Sequence, residues 1–213
     1  MSLYRQWFPL ILLLVSEVAS ADPILNEDYM QFESRMTSPG ERIELMEFFS
    51  YSCLGCYQLG VDLDHWYLGN LERVDLFLVP IVNNRQSESL ARLYYALVAL
   101  NNLVNVHYDV FGAIHDERQN LWEIDAQRSW ASEYDIHPEE FQRVLDSEWV
   151  SERVDQAREF TERYPISVTP TLGVDGVFWT TASIVQSRSR LGPILDFLVE
   201  KATLRRERLM EIK

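Results

Sequence analysis

Both cysteines of this 213-residue chain, Cys53 and Cys56, lie three residues apart, directly after an apolar stretch. That stretch, Ile43–Phe49, is nearly continuous in apolar residues, which is typical of a central strand buried on both faces. The cysteines open a helical pattern, and residues 74–82 predict a second strand whose ladder Pro80 limits near its far end. Strand, helix and strand in this order form a βαβ unit, so the two strands are expected to pair in parallel.

The rest of the chain changes character twice. Residues 29–32 predict a short strand before the βαβ unit, and residues 87–164 carry apolar side chains at helical spacing. Strand signals return in residues 171–179, where the turn Asp175-Gly176 predicts a hairpin. Gly192-Pro193 is predicted to open a final helix. The fold class is therefore α/β: a thioredoxin fold, with a central mixed sheet and flanking helices, interrupted by an all-helical insertion.

The N-terminus has the pattern of a cleavable secretory signal. Arg5 supplies a positive charge, residues 7–15 supply a short apolar core, and Ala19-Ser20-Ala21 offers small residues for cleavage. An uncleaved anchor or a buried helix is the alternative. Export would place the two cysteines in an oxidising compartment, for which a bacterial periplasm is the natural candidate.

The net charge of the chain is strongly negative. The sequence has 33 acidic and 19 basic residues, which gives a formal net charge of −14. Such a surface repels nucleic acid and anionic lipid and favours solubility. No nucleic-acid partner is therefore expected, and the charge alone indicates no particular chemistry.

The cysteine pair carries the most specific chemical signal. Residues i and i+3 of a helix have Cβ atoms roughly 5–6 Å apart, and a disulfide needs about 3.5–4.5 Å, so modest tightening closes the bond. Cys53, at the helix N-terminus, is the expected attacking thiolate because free N–H groups and the helix dipole stabilise its charge. Cys56, one turn inside the helix, is expected to resolve the mixed disulfide. No cofactor is predicted besides this redox-active disulfide.

Three other interpretations of the pair remain open. A structural disulfide that closes so small a ring would constrain the unfolded chain little and stabilise weakly. Two inert cysteines in the core are a second possibility. A zinc site would need further ligands, and no two of the four histidines have paired spacing, so no metal site is predicted. Those histidines are His65, His107, His115 and His137. A C-x-x-C that follows a strand in a βαβ context favours redox activity over all three.

Two further positions are candidates for the site. Glu47 is a carboxylate within an apolar strand, where it is costly unless paired, hydrated or protonated. It precedes Cys53 by six residues, so we expect it beneath the helix start, where it would relay a proton to or from Cys56. A glutamate at a strand edge in contact with water is the alternative. Thr169-Pro170 precedes the hairpin, and an X-Pro bond there is a plausible cis peptide, although only about 5–6% of such bonds are cis.

Several segments together resemble one family. Residues 47–50 with Cys53-x-x-Cys56-Tyr57-Gln58 resemble the active-site segment of the DsbA family of periplasmic thiol–disulfide oxidoreductases. Residues 106–117 resemble the helical insert of that family, and residues 170–176 resemble its cis-proline loop and hairpin. The resemblance covers most of residues 22–210. It implies a thioredoxin fold with inserted helices, whose disulfide is donated to secreted proteins as they fold.

The resemblance also implies roles for individual residues. Pro170 would be cis and flank the disulfide, and the backbone of Thr169 would pair with an extended substrate, beside Leu54 and Gly55. Glu47 falls on the buried acid of the family. Cysteine-containing secreted proteins would be the substrates, a DsbB-like membrane quinone reductase would reoxidise the protein, and a monomer is expected.

The sequence departs from the family pattern at three points. The dipeptide between the cysteines is Leu54-Gly55 where the family usually has Pro-His, which removes donors and possible positive charge near Cys53. The pKa of Cys53 is then expected to be higher than in typical members, giving a weaker oxidant. Thr169 replaces the valine common in close relatives, and residues 74–82 contain no lysine to accompany the buried acid.

Four parts of the chain follow from these interpretations. They are the signal peptide (1–21), the first part of the thioredoxin-like domain with the C-x-x-C pair (22–86), the helical insertion (87–164), and the second part with the cis-proline loop, hairpin and C-terminal helix (165–213).

The predicted function is disulfide transfer, with two alternatives. Within the same chemistry, the chain would act as a periplasmic reductase or isomerase. From a different class, it would be a chaperone-like binding module of the same fold, with apolar residues exposed around Tyr51, Leu54 and Tyr57. Fast alkylation of Cys53 after mild reduction, with turnover that needs both cysteines, would exclude the binding module.

Overall fold

The computed structural model describes residues 22–33, 40–164, 166–185 and 187–212. The predicted signal peptide, residues 1–21, lies outside the described residues. The strands are β1 (Met30–Gln31), β2 (Ile43–Phe49), β3 (Val74–Pro80), β4 (Thr171–Val174) and β5 (Phe178–Thr181). The helices are α1 (Leu54–Leu68), α2 (Arg85–Ala99), α3 (Leu103–His115), α4 (Ile124–Ser132), α5 (Pro138–Leu145), α6 (Glu148–Arg163), α7 (Ala182–Val185) and α8 (Arg188–Glu211).

The strands form one mixed sheet in the order β1-β5-β4-β2-β3. Strands β2 and β3 pair in parallel, as the βαβ order predicts, whereas β4 pairs antiparallel with both β2 and β5. The hairpin between β4 and β5 turns at Asp175 and Gly176, whose φ angles of 56° and 59° suit a tight two-residue connection. The predicted fold class is confirmed: a thioredoxin fold that carries additional helices.

Side chains of β2 alternate between two apolar layers. Leu45 packs with α1 and α8 on one face of the sheet, where Leu63 and Leu195 are fully buried. Met46 and Phe48 pack on the other face against Val154 of α6. This burial on both faces explains why β2 is nearly continuous in apolar residues.

Helices α2–α6 lie between β3 and β4 in the chain, and α2–α5 form a third apolar cluster. Its centre includes Leu93 and Leu97 of α2 and Phe111 of α3. Tyr51 and Cys56, from the segment around the active cysteines, belong to the same cluster. The added helices therefore pack directly against the start of α1 and not only against the sheet.

Two predicted boundaries are wrong. The final helix begins at Arg188, and Pro193 lies inside it. Proline at the sixth position of a helix removes one N–H hydrogen bond, and the buried Leu191 and Ile194 hold this first part of α8 against the core. The second strand ends at Pro80, which has no N–H to donate, and not at residue 82.

No helix within the described ranges combines the length and the apolarity needed to cross a bilayer.

Candidate active site

The sulfur of Cys53 occupies the N-cap position of α1. Cys53 has extended backbone angles, φ −92° and ψ 107°, and its Sγ accepts a hydrogen bond from the backbone N–H of Cys56 at 3.1 Å. Serine or aspartate oxygen normally fills this role, satisfying one of the four N–H groups that a helix start leaves unpaired. A thiolate at this position therefore receives a backbone hydrogen bond and lies at the positive end of the helix.

The loop before β4 lies against this sulfur. The Thr169–Pro170 peptide bond is cis, which confirms the expectation for Pro170. The Cys53 thiol donates to the backbone carbonyl of Thr169, with 3.2 Å between Sγ and O. A Cβ placed on Gly55 would lie 3.4 Å from Cδ of Pro170 and 3.8 Å from Sγ of Cys53. A side chain at position 55 would therefore begin in ordinary van der Waals contact with both the cis-proline loop and the sulfur.

Several hydrogen bonds favour the thiolate form of Cys53. Its pKa is lowered from 9.0 to about 6, chiefly by the hydrogen bond from the Cys56 thiol. Partial burial opposes this shift, while the Thr169 side chain and the backbone N–H groups of Cys56 and Gly55 add to it. Cys53 is therefore largely ionised at neutral pH even though no histidine lies between the cysteines.

Cys56 has the opposite character. Its side chain is buried, with 1% of its surface exposed, whereas Cys53 is partly exposed. Burial, followed by its hydrogen bond to Cys53, raises the pKa of Cys56 far above its usual range. The two thiols thus differ in both accessibility and acidity, as the sequence predicted from their positions in the helix.

Glu47 lies in the centre of β2, paired with Leu78 of β3 and Leu172 of β4. Its side chain is 6% exposed, so it is not the solvated edge residue of the alternative interpretation. Burial raises its pKa from 4.5 to about 8, and the negative charges of Asp64 and Cys53 add to that effect. None of the ion pairs within the described residues involves Glu47, which agrees with the absence of a lysine in residues 74–82.

Two histidines of α3 hold the segment that leads into Cys53, a feature that was not predicted from the sequence. Tyr51 is 1% exposed; its hydroxyl lies 2.9 Å from Nδ1 of His107, and its carbonyl accepts from Nε2 of His115 at 2.9 Å. The His115 ring stacks on Phe111 and Tyr57 with centroids 6.2 and 5.9 Å apart. Burial lowers the pKa of His107 to about 4, so it is neutral at physiological pH.

The apolar surface expected around the cysteines is smaller than predicted. Leu54 is exposed by 51%, but Tyr51 is buried and Tyr57 is half-buried in its stack on Phe111. The expected exposure of Tyr51 is therefore wrong, because its ring fills the space between β2 and α3. This weakens the binding-module interpretation, which depended on that exposure.

No group of three or more histidine, cysteine or acidic side chains within the described ranges is arranged to hold a metal ion. The four histidines that were considered as zinc ligands lie in three different parts of the fold. His107 and His115 contact Tyr51, whereas His65 lies in the last turn of α1 and His137 caps α5.

A thioredoxin-type sheet, an asymmetric cysteine pair at the start of α1 and a cis-proline loop against the outer sulfur define a thiol–disulfide oxidoreductase. The family model of the DSBA-like thioredoxin domain matches residues 59–192. This chain belongs to that family.

Individual relatives agree with the assignment. The thiol:disulfide interchange protein DsbA of Bordetella parapertussis is 34% identical over 157 residues, covering 73% of this chain and 74% of the relative. The protein of the same name from Burkholderia cepacia is 25% identical over 189 residues, 88% of this chain and 89% of the relative.

Solved structures show the same fold. The oxidoreductase DsbA of Xylella fastidiosa is 26% identical, with a TM-score of 0.77 over 85% of this chain and 98% of its own. The DsbA of Pseudomonas aeruginosa, 21% identical, has a TM-score of 0.79 over 89% of this chain and 97% of its own.

Proposed function

We propose that this protein-disulfide oxidoreductase donates its Cys53–Cys56 disulfide to pairs of cysteines in other proteins. One observation carries the proposal: the Cys53 sulfur caps α1 and is partly exposed, while Cys56, one turn further along the helix, is buried. The arrangement stabilises the reduced, thiolate form of Cys53, and stabilising the reduced form makes a disulfide more oxidising. The same argument disfavours the reductase and isomerase alternatives.

The transfer takes two exchanges. A substrate thiolate attacks Sγ of Cys53, the bond between the two protein sulfurs breaks, and Cys56 leaves with the electron pair and takes up a proton. A second substrate thiolate then attacks the substrate sulfur of the mixed disulfide and releases Cys53 as a thiolate. The substrate loses two electrons and the protein gains them. Cys53, with a pKa of about 6, is the better leaving group of the two protein thiols.

Glu47 is the proposed proton donor for Cys56. The Cys56 thiolate is strongly disfavoured by burial, so it needs a proton as it forms. Glu47, with a pKa raised to about 8, is mostly protonated at neutral pH and faces the same buried region. Its negative charge, when present, acts on Cys56. A carboxylic acid held neutral at pH 7 has a proton to give, which an ordinary exposed carboxylate lacks.

Pro170, Thr169, Leu54 and Gly55 are the proposed contacts for substrate. They lie around the partly exposed Cys53 sulfur, and the Thr169 carbonyl that accepts from the Cys53 thiol becomes available when Cys53 forms a disulfide. An extended substrate segment would then pair with this backbone carbonyl.

The proposed setting is the periplasm. The signal-like residues 1–21 and the names of the relatives support export, cysteine-containing secreted proteins as substrates, and reoxidation by a DsbB-like membrane quinone reductase. The proposed oligomeric state is a monomer. N-terminal sequencing of protein recovered from the periplasm is expected to begin at Asp22, and sedimentation equilibrium is expected to give the mass of one chain.

The test uses oxidised protein mixed with a reduced, unfolded ribonuclease. Stoichiometric loss of substrate thiols and the appearance of free Cys53 and Cys56 are expected. C53S and C56S cannot form the disulfide and should transfer none. When the reduced C56S variant meets a disulfide peptide, a lasting mixed disulfide through Cys53 is expected. Transfer by either variant at the wild-type rate would contradict the proposal.

A further inference from the structure

A hollow of about 370 Å³ lies directly beside Cys53. Its wall comes from the segment between β2 and α1, the segment between β3 and α2 with the first turn of α2, and the loop before β4. Almost all of the side chains in it carry hydroxyl or carboxamide groups; they include Ser52, Asn83, Asn84, Gln86, Ser87 and Thr169. Apart from Cys53 itself, none of the lining residues carries a charge, although the chain as a whole has a net charge of −14. We call this hollow the amide pocket.

Hydrogen bonds fix the orientation of the asparagine side chains in the amide pocket. Oδ1 of Asn83 accepts from the hydroxyl of Ser87 at 3.0 Å and from the side-chain amide of Asn84 at 2.9 Å. Oδ1 of Asn84 accepts from the backbone N–H of Ser87 at 2.9 Å, closing the capping box of α2. Both acceptor oxygens are thus engaged within the wall, and the wall is preorganised.

The groups left for a ligand are mainly N–H donors. The side chain of Asn83 is exposed, and with its oxygen engaged, its amide N–H groups are the part left for a ligand. Gln86 is also exposed, and its carboxamide makes none of the hydrogen bonds recorded among the described residues. Asn83 thus offers donors, and Gln86 offers both N–H groups and an oxygen. A neutral carboxamide, which has a carbonyl oxygen and N–H groups of its own, matches both.

We propose that the amide pocket is a substrate subsite that accepts an uncharged carboxamide side chain, asparagine or glutamine, adjacent to the substrate cysteine that attacks Cys53. The inference rests on the proposed function and adds a substrate class to it. A leucine in the same place displaces the water that hydrogen-bonds to the Asn83 and Gln86 amides and offers no hydrogen bond in return. A carboxylate is attracted by the N–H donors and by the positive end of α2, but it is repelled by the thiolate that Cys53 becomes and by the acidic surface. A lysine is disfavoured because its ammonium group faces N–H donors and is repelled by the positive end of α2.

The experiment measures how fast dithiol peptides reduce the Cys53–Cys56 disulfide. Four peptides differ only in the residues on either side of one cysteine, which are glutamine, leucine, glutamate or lysine. The protein variants are Q86L, which removes the exposed carboxamide without breaking a recorded hydrogen bond, and Q31L. Gln31 is likewise exposed, and it lies on β1 at the opposite edge of the sheet. Comparing variants with the same peptide cancels the thiol reactivity of the peptide itself.

The glutamine peptide is expected to react about five- to tenfold faster than the leucine peptide, which corresponds to about one neutral hydrogen bond. Q86L should reduce this ratio towards one, and Q31L should leave it unchanged. Equal rates for all peptides, a glutamate peptide as fast as the glutamine peptide, or a ratio unaffected by Q86L would overturn the inference.

Dithiothreitol, which has no side chain to place, separates this inference from the proposed function. It should reduce the disulfide of wild type, Q86L and Q31L at the same rate. If dithiothreitol reacts while the peptides show no preference, only the amide pocket proposal fails. If the disulfide of the wild-type protein reacts with neither dithiothreitol nor the peptides, the proposed function fails with it.

Discussion

Replacing Glu47 by glutamine should stabilise the reduced protein at neutral pH. The carboxyl is buried and its pKa is raised from 4.5 to about 8, so folding at pH 7 requires that it take up a proton that it lacks in the unfolded chain. At 1.36 kcal/mol per pKa unit, the difference between pH 7 and 4.5 corresponds to roughly 3 kcal/mol. Glutamine has nearly the same shape and carries no charge, so E47Q avoids this cost.

The stability gained by the E47Q substitution should grow as the pH rises. Because the folded-state pKa is raised, the contribution of Glu47 to stability is fully present below pH 4.5 and is lost as the pH rises towards 8. The free energy of unfolding of E47Q should therefore exceed that of wild type by roughly 3 kcal/mol at pH 7, by about 1 kcal/mol at pH 5, and by little at pH 4. Any effect of the glutamine amide that does not depend on pH adds equally to all three differences.

Urea unfolding of the reduced proteins between pH 4 and pH 7 measures this difference. E152Q is the matched control, because it makes the same substitution at an exposed position of α6. A gain for E47Q that is equal at pH 4 and pH 7, or a loss of stability at pH 7, would refute the argument that Glu47 is buried and protonated. The same variant should slow the exchange step in which Cys56 takes up a proton.

Three further predictions concern the surroundings of the sulfur. The rate of Cys53 alkylation by iodoacetamide should rise with a midpoint near pH 6, and a midpoint near 9 would show that the hydrogen bonds to its sulfur do not act on the thiolate. H115A removes a hydrogen bond to the Tyr51 carbonyl and should cost about 1 kcal/mol in thermal unfolding and slow peptide oxidation, whereas H65A, at an exposed position, should do neither. Replacing Leu54-Gly55 by Pro-His should lower the Cys53 pKa further and raise the reduction potential; an unchanged thiolate titration would contradict this account of the dipeptide.

The sequence was sufficient to predict the sheet and the reactive pair because those signals are local. The apolar run Ile43–Phe49, the helix start at the cysteines and the turn Asp175-Gly176 each depend on neighbouring residues. The different burial of Cys53 and Cys56 also follows from their position in one helix. The roles of Glu47 and Thr169 remain proposals, although the burial of Glu47 and the cis form of Pro170 were expected.

Features that depend on contacts between distant segments were not predicted. His107 and His115 lie 56 and 64 residues from Tyr51 in the chain, and only the docking of α3 against the start of α1 brings them together. A signal was present: the two histidines are eight residues apart, which places them on one face of α3 with Phe111 between them. The start of α8 was predicted wrongly. Pro193 does not end the helix, because buried side chains on both sides of it hold the first turns of α8 against the core.

The dipeptide Leu54-Gly55 raised the expectation of a weaker oxidant, and the structure shows how the thiolate is favoured without a histidine. The backbone N–H and thiol of Cys56 and the side chain of Thr169 all act on the Cys53 sulfur. The resulting pKa of about 6 lies between the values of about 3.5 and about 7 typical of strongly oxidising and reducing C-x-x-C proteins.

The equilibrium reduction potential of the Cys53–Cys56 pair tests disulfide donation most directly. It follows from the fraction of reduced protein in graded glutathione buffers. On a scale whose oxidising end is itself set by a DsbA, about −120 mV marks a strong oxidant and about −270 mV a reductant. A value more positive than about −180 mV is predicted for a protein that donates its disulfide. A value near −270 mV would contradict the proposal and assign the pair to disulfide reduction.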